Sequence, residues 1–372
     1  MEVAVRKGSV YSVGLLVAVL IAGASWSAVS RAAAQAPGGQ AAAGPTSPAR
    51  PAPHPSTQSP EHKVTGDQMK KWEKELSNWG RWGKDDERGT LNLITPEKTK
   101  GAVKLVKEGI SVSLHKFPDL KKEIDSWSFG ETKHYMSIID PKTNMPRGAM
   151  DNVSFGTHDG TSGHMDALCH YAVQSNGPGA PAVVYNGHPQ NLDLEGCKAN
   201  GIDRMGPGYV TRGILVDLPL LKGVEWLEQT SPVYVSDLEA WEKYANVKIG
   251  SGDAVFIRTG RYARRAKTGP WNAAQLTAGL HASVLPWIHQ RDIAVLGGDS
   301  VPDVQPSGVE GWPRPIHDIL IPIMGTPLVD NGYYEDLAEQ AKKLKRWEFM
   351  ISWSVLRIPG GTASPFTALA TF

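Results

Sequence analysis

Cysteine is nearly absent: Cys169 and Cys197 are the only two in 372 residues. That excludes a scaffold built on disulfides and any four-cysteine zinc site, so a metal in this protein has to be held by histidine and carboxylate. Net charge is missing as well. The 39 Lys and Arg nearly cancel the 38 Asp and Glu, which leaves no global field to hold a polyanion or an anionic membrane and argues against a nucleic-acid partner. Gly297-Gly298 follows an apolar run, but no Gly-x-Gly-x-x-Gly or Gly-Lys-Ser/Thr spacing accompanies it, and no repeat of fixed period occurs.

Long apolar runs are confined to the start of the chain. Arg6 and Lys7 precede an apolar stretch from Val13 to Ala22, and Ala32-Ala33-Ala34 supplies a small-x-small pattern, the order of a secretory signal cut near Ala34. The stretch is shorter than the roughly 20 residues that cross a bilayer, which weighs against the alternative of an uncleaved anchor. Residues 1–34 are therefore expected to be a signal peptide, giving an exported, periplasmic or secreted protein with no stable membrane span after cleavage. From Pro37 to about Pro60 the chain is mostly Pro, Ala, Gly, Ser, Gln and Thr, too poor in apolar side chains to offset the entropy of ordering. Residues 35–64 are expected to be a flexible linker. With 41% hydrophobic residues, residues 65–372 can bury a substantial core as one compact domain.

Within that domain, Thr65-Gly66-Asp67-Gln68 can cap a helix carrying Met69, Trp72 and Leu76 at helical spacing. Pro96 suits a first helical turn, and a helix from about Glu97 to Lys107 would stop at Gly109. Strands are expected at Ser111 to Leu114, Gly213 to Leu218, Ala254 to Thr259, Ala294 to Gly297 and Phe349 to Arg357, with helices at Val235 to Tyr244, Ala273 to Gln290 and Tyr334 to Leu344. The pattern is mixed α/β, without an evident regular βαβ array.

The densest chemistry is the thirteen-residue run from His158 to His170, which holds three histidines, two aspartates and two glycines. In an extended segment His164 and Asp166 face one side and can reach one ion, and imidazole with carboxylate suits zinc or manganese. If a helix begins near Asp166, His170 lies one turn on along the same face, placed as a general acid/base. A lone histidine or aspartate is more often a solvated or hydrogen-bonding residue, and it is the spacing of three that favours a site. Cys169 could be a soft ligand or a nucleophile, but its side chain should point away from its neighbours' face, which favours buried packing.

The run resembles the signature of the cyclase family, which includes kynurenine formamidases, isatin hydrolases and some lactone hydrolases, written H-x-G-T-H-x-D-x-x-x-H. Asn78-Trp79-Gly80-Arg81-Trp82-Gly83, Asp85-Asp86, Gly89-Thr90-Leu91-Asn92, Tyr185-Asn186-Gly187, Thr211-Arg212-Gly213, Gly298-Asp299 and Pro359 to Pro365 resemble further motifs of its longer members, in the family's order, over roughly Trp72 to Phe372. The resemblance implies a swivelling β/β/α fold, a Zn2+ or Mn2+ ion, and a homodimer or homotetramer. It also implies ligands at His164 and Asp166 and an acid/base at His170. The short motif would put its first histidine at Gly160, so His158, two residues earlier, stands as first ligand only through a loop insertion. His317 resembles the family's distal catalytic histidine. The glutamate expected after it is replaced by Val329-Asp330-Asn331, leaving Asp330 as the carboxylate candidate for a second metal.

The implied reaction is hydrolysis of an amide, cyclic amide or lactone of a small molecule by metal-activated water, with His170 moving the proton. Twelve tryptophans, among them Trp72, Trp79, Trp82 and Trp127, would suit a cyclic or aromatic substrate, although core or dimer packing accounts for each taken singly. The alternatives are a dehydratase or true cyclase using the same groups, and a periplasmic binding protein that retains the motif without turnover.

Overall fold

The computed structural model describes residues 51–126, 132–137, 150–174 and 179–372. The expected signal peptide and the first part of the expected linker lie outside the described residues, as does Trp127. A nine-stranded mixed sheet runs in the order Ser111–Ser113, Ala368–Thr371, Glu348–Trp353, Tyr209–Asp217, Ala254–Arg258, Val295–Gly298, Leu328–Asp330, His164–Asp166 and Ala363–Pro365. Its four middle strands, from Tyr209–Asp217 to Leu328–Asp330, are parallel, and the outer pairings are antiparallel. Ile214 to Val216 and Ala254 to Ile257 are buried throughout, the continuous apolar pattern of strands covered on both faces. Each such Ile, Val or Phe contributes roughly 1.5–3 kcal/mol on leaving water.

The parallel centre means that βαβ connections are present after all. Val235–Ala245 links the first two middle strands, Arg261–Thr268 and Leu285–Arg291 the next two, and Pro315–Ile319 the last two. Val235–Ala245 is the helix expected at Val235 to Tyr244, whereas the other three are five to eight residues long, too short for a clear helical period to stand out in sequence. The helix expected over Ala273 to Gln290 is instead a loop, a two-residue strand Gly279–Leu280, a tight turn and the helix Leu285–Arg291. Elsewhere the outline matches. Gly66–Glu75 is helical with Thr65 accepting from Gln68 N–H, and Pro96–Val103 is helical but stops short of Lys107.

Part of the expected linker is packed. Pro55–Gln58 form a short 3-10 turn, Thr57 is buried, Ser56 Oγ lies 2.7 Å from Tyr234 Oη, and the His62 ring stacks on Tyr234 at 3.6 Å. Few apolar residues are needed there, because the segment lies along a ready-made surface and gains side-chain hydrogen bonds. The cysteines also differ from expectation: Cys169 and Cys197 form a disulfide, so Cys169 is neither ligand nor nucleophile. Their separation in sequence gave no sign of this, because the turn after His164–Asp166 and the Gly196–Cys197 strand meet only in the fold.

Several motifs that carried the family resemblance are joints of this fold. Asp86 accepts from Arg88 N–H, Gly89 N–H, Asn92 Nδ2 and Tyr185 Oη, while Asn186 Nδ2 donates to the carbonyls of Gly83, Lys84 and Asp86. Gly89 has φ +58°, and a Cβ there would sit 1.9 Å from the Gly325 carbonyl oxygen, so only glycine allows this crossing. Asp299 accepts from the N–H groups of Thr259, Gly260 and Arg261, which fixes the end of the Ala254–Arg258 strand.

Candidate metal centre

The centre forms where the antiparallel edge meets the parallel middle of the sheet. His164–Asp166 pairs with Leu328–Asp330 so that His164 lies opposite Asp330, and with Ala363–Pro365 on its other side. His164 and Asp166, two apart on a strand, share a face as expected, with His164 Nε2 3.7 Å from Asp166 Oδ1. His170 does not arrive on a helix. The strand ends at Asp166, and a turn closed by His170 N–H to the Ala167 carbonyl at 3.0 Å brings the imidazole back. His170 stacks on His158 with ring centres 4.0 Å apart, and His158 Nδ1 stands 3.4 Å from Asp166 Oδ1. His158 Nε2 is 3.0 Å from Thr362 Oγ1, so the closing motif of the chain orients it.

His317 reaches the same place from the helix Pro315–Ile319. Its Nε2 lies 3.7 Å from Asp166 Oδ2 and 3.5 Å from Asp330 Oδ2. Its Nδ1 is held at 2.5 Å by Asp303 Oδ2, and His164 Nδ1 is likewise held at 3.1 Å by the Ser162 carbonyl. Each of these second partners turns Nε2 toward the carboxylates, the arrangement that orients metal-ligating histidines.

Two triplets therefore have donor atoms within 4.8 Å of one another: His158, Asp166 and His170, and Asp166, His317 and Asp330. Asp166 belongs to both. Asp166 Oδ1 and Oδ2 and Asp330 Oδ1 are buried without a hydrogen-bond partner, and buried carboxylate oxygens left unpaired are costly unless a cation accompanies them. The donor set, imidazole nitrogen with carboxylate oxygen, fits zinc or manganese, so these residues can hold a divalent metal. All six residues singled out in sequence meet here, but the roles overlap. His170 and His317, expected as catalytic groups, stand at ligand distance, while His164 lies beside the triplets rather than within one.

Electrostatics follows from burial. Burial pulls the His170 imidazole down to about 4 against the raising effect of Asp166, so His170 is neutral at pH 7 and able to accept a proton. Burial would raise the Asp166 carboxyl, but the surrounding histidines, His170 and His158 foremost, hold it well below the usual carboxylate range. Burial also lowers His164. For His317 burial is outweighed by Asp330, Tyr171 and Asp303, which raise it well above an ordinary histidine.

Asp159, the other aspartate of the run, serves the scaffold. It accepts from Thr161 N–H at 2.7 Å and from Ser126 Oγ at 2.7 Å. Beside it the buried Arg261 donates to Asn331 Oδ1 and the Gly160 carbonyl and lies 3.5 Å from Asp125. Two of the tryptophans ahead of the run act similarly: Trp79 Nε1 donates to the Pro322 carbonyl at 2.8 Å, and Trp72 and Trp79 pack against the core. Sequence reasoning missed Asp303, Tyr171 and Arg314. Tyr171 adjoins the signature and was within reach, whereas Asp303 and Arg314 sit in a turn-rich stretch where nothing local marks them.

Fold and site together define a mixed α/β protein with a buried histidine–carboxylate centre suited to a divalent metal. The family model named Cyclase, described as Putative cyclase, matches residues 102–302; the chain belongs to this cyclase family. In structure it is similar to a crystal structure titled a novel cyclase, at 27% identity and TM-score 0.70 over 81% of this chain and 99% of that one. It is also similar to isatin hydrolase A from Ralstonia solanacearum, at 20% identity and TM-score 0.48 over 70% of this chain and 91% of that one. A further similarity is to isatin hydrolase A from Labrenzia aggregata bound to benzyl benzoate, at 18% identity and TM-score 0.49 over 72% and 94% of the two chains. No curated protein matches.

Proposed function

We propose that the protein is a metal-dependent hydrolase that opens an amide, cyclic amide or lactone carbonyl of a small molecule. The observation that carries this reading is the pair of donor triplets meeting on Asp166, whose two carboxylate oxygens are buried with no hydrogen-bond partner. His158, His164, Asp166, His317 and Asp330 would hold the ion. When bound, a divalent ion lowers the pKa of water and polarises a carbonyl oxygen. His170, neutral and stacked on His158, takes a proton from the attacking water and returns it to the leaving nitrogen or oxygen. Asp303 keeps His317 turned inward, and the buried floor of the centre limits competing water.

Export is part of the proposal. The secretory pattern at the start of the chain and the Cys169–Cys197 disulfide both fit an oxidising compartment. Among the described residues no helix is long and apolar enough to cross a membrane. A homodimer or homotetramer is proposed from the family resemblance, to be measured by light scattering.

The test uses protein expressed from about Gln35. Metal content is measured by elemental analysis, and hydrolysis of N-formylkynurenine, isatin and simple lactones is followed with and without chelator. Near-stoichiometric zinc or manganese with chelator-sensitive turnover is expected. Protein that takes up neither metal on titration would overturn the reading.

A further inference from the structure

A cavity of about 700 Å3 lies under the packed segment before the first long helix, walled by Pro53, Gln275, Pro306 and Trp312, with Arg314 among its lining residues. Arg314 directly precedes the helix that carries His317, and its backbone carbonyl accepts from Asp318 N–H at 2.9 Å. Its charge is felt by Tyr171, Asp330, Asp303 and Asp166, so one lining residue of this cavity also acts on the groups of the metal centre. Tyr171 lies on the metal-centre side, its ring 4.9 Å from that of His170 and 5.0 Å from that of His317.

The polar groups around them differ in availability. Gln58 and Gln305 each donate to a backbone carbonyl, of Gly308 and Pro313, and Ser307 Oγ donates to that of Trp312. Glu310, the one acidic lining residue, is exposed. Among the described residues neither the Arg314 guanidinium nor the Tyr171 hydroxyl has a hydrogen-bond or ion-pair partner. A half-buried guanidinium with five unused N–H donors is matched to a planar oxyanion, which it can take in two parallel hydrogen bonds. The nearby aspartates do not fill this role: Asp303 is spent on His317, Asp166 and Asp330 face the metal position, and Asp318, although it feels the Arg314 charge, forms no ion pair with it among the described residues.

We propose that Arg314, with Tyr171 beside it, docks a carboxylate that the substrate carries away from its scissile carbonyl, while the substrate body lies in the cavity along Trp312. This rests on the hydrolase reading and narrows it to acidic amides and lactones. A charge-assisted hydrogen bond contributes about 1.5–3 kcal/mol, or roughly 10- to 100-fold in kcat/KM.

The test takes zinc-loaded protein and formanilides that carry a ring carboxylate, each paired with its ring carboxamide. Wild type should favour the acid at least about 10-fold, Arg314→Met should remove that preference by slowing the acid alone, and Arg314→Lys should restore part of it. Equal loss on acid and carboxamide, or no preference in wild type, overturns the proposal. Calorimetric titration with benzoate supplies a readout apart from turnover: binding should weaken about 10-fold or more in Arg314→Met. Benzoate bound equally by both proteins would be sitting on the metal, and the proposal would fall. If neither formanilide is turned over while benzoate binding depends on Arg314, the hydrolase reading fails and the anion site stands.

Discussion

Two clusters of buried charge lie on neighbouring stretches of the chain and end differently. Asp159 and Asn331 belong to one, where Arg261, Arg265, Thr161 and Ser126 satisfy the polar atoms of Asp125, Asp159 and Asn331. Asp166 and Asp330 belong to the other, where three carboxylate oxygens are buried with no hydrogen-bond partner. Asp330 is the last residue of its strand, and Asn331 with φ +56° turns the chain out of it, so the two adjacent side chains enter different clusters. Equal burial therefore marks two purposes. A network whose carboxylate and amide oxygens accept hydrogen bonds holds the loop from His158 to Gly163 in place, and one whose carboxylate oxygens lack them is suited to a cation.

The sharpest break of that comparison is Asp166→Asn, which removes the carboxylate common to both triplets. Wild-type protein at zinc 100-fold above its Kd should gain about 2.7 kcal/mol of stability, and the variant should gain none and lose turnover; a preserved zinc-dependent Tm shift would contradict the shared-ligand reading. Arg261→Met strikes the other cluster. Breaking a buried pair costs about 3–5 kcal/mol, so urea unfolding should move by that amount while the folded fraction still binds zinc.

His170→Ala separates chemistry from binding within the Asp166 cluster. Turnover should drop roughly 100- to 10,000-fold with zinc content unchanged, whereas joint loss of metal would make His170 a ligand. Asp303→Asn keeps the shape but weakens the hold on His317, and zinc affinity measured by competition with a chromophoric chelator should fall about 10- to 100-fold.

The smallest expected effect lies outside both clusters. His281 is buried with Nε2 unpartnered and is pulled down to about 4 by burial. A histidine whose folded pKa is depressed binds fewer protons folded than unfolded, so its contribution to stability is intact above pH 6.5 and is lost as pH falls toward 4. His281→Phe should flatten that part of the Tm-versus-pH curve by a few degrees, and an unchanged slope would show that the imidazole finds water or a partner on protonation.

The legible part of the site was the part contained in one stretch of chain. His158, His164, Asp166 and His170 stand within thirteen residues, so their chemistry could be read from spacing. His317 and Asp330 could be proposed only through the family resemblance, because each is unremarkable among its own neighbours. The apolar strands from Gly213 and Ala254 were legible because burial on both faces demands an unbroken apolar run. The helical turn expected to carry His170 was not there, because the strand partners of Asp166 hold the backbone extended up to the turn.

The sequence by itself determined that any metal must rest on histidine and carboxylate, that His158 to His170 is the densest cluster of metal-ligating residue types, and that the fold mixes strands with short helices. Tertiary structure alone decided that Asp303 orients His317, that Cys169 pairs with Cys197, that Asp159 supports the loop instead of the metal, and that Arg314 faces the cavity. The physical reason is distance along the chain. Local spacing fixes which neighbours share a face, but strand register and helix docking choose which distant groups meet, and those choices come from burying the whole core at once.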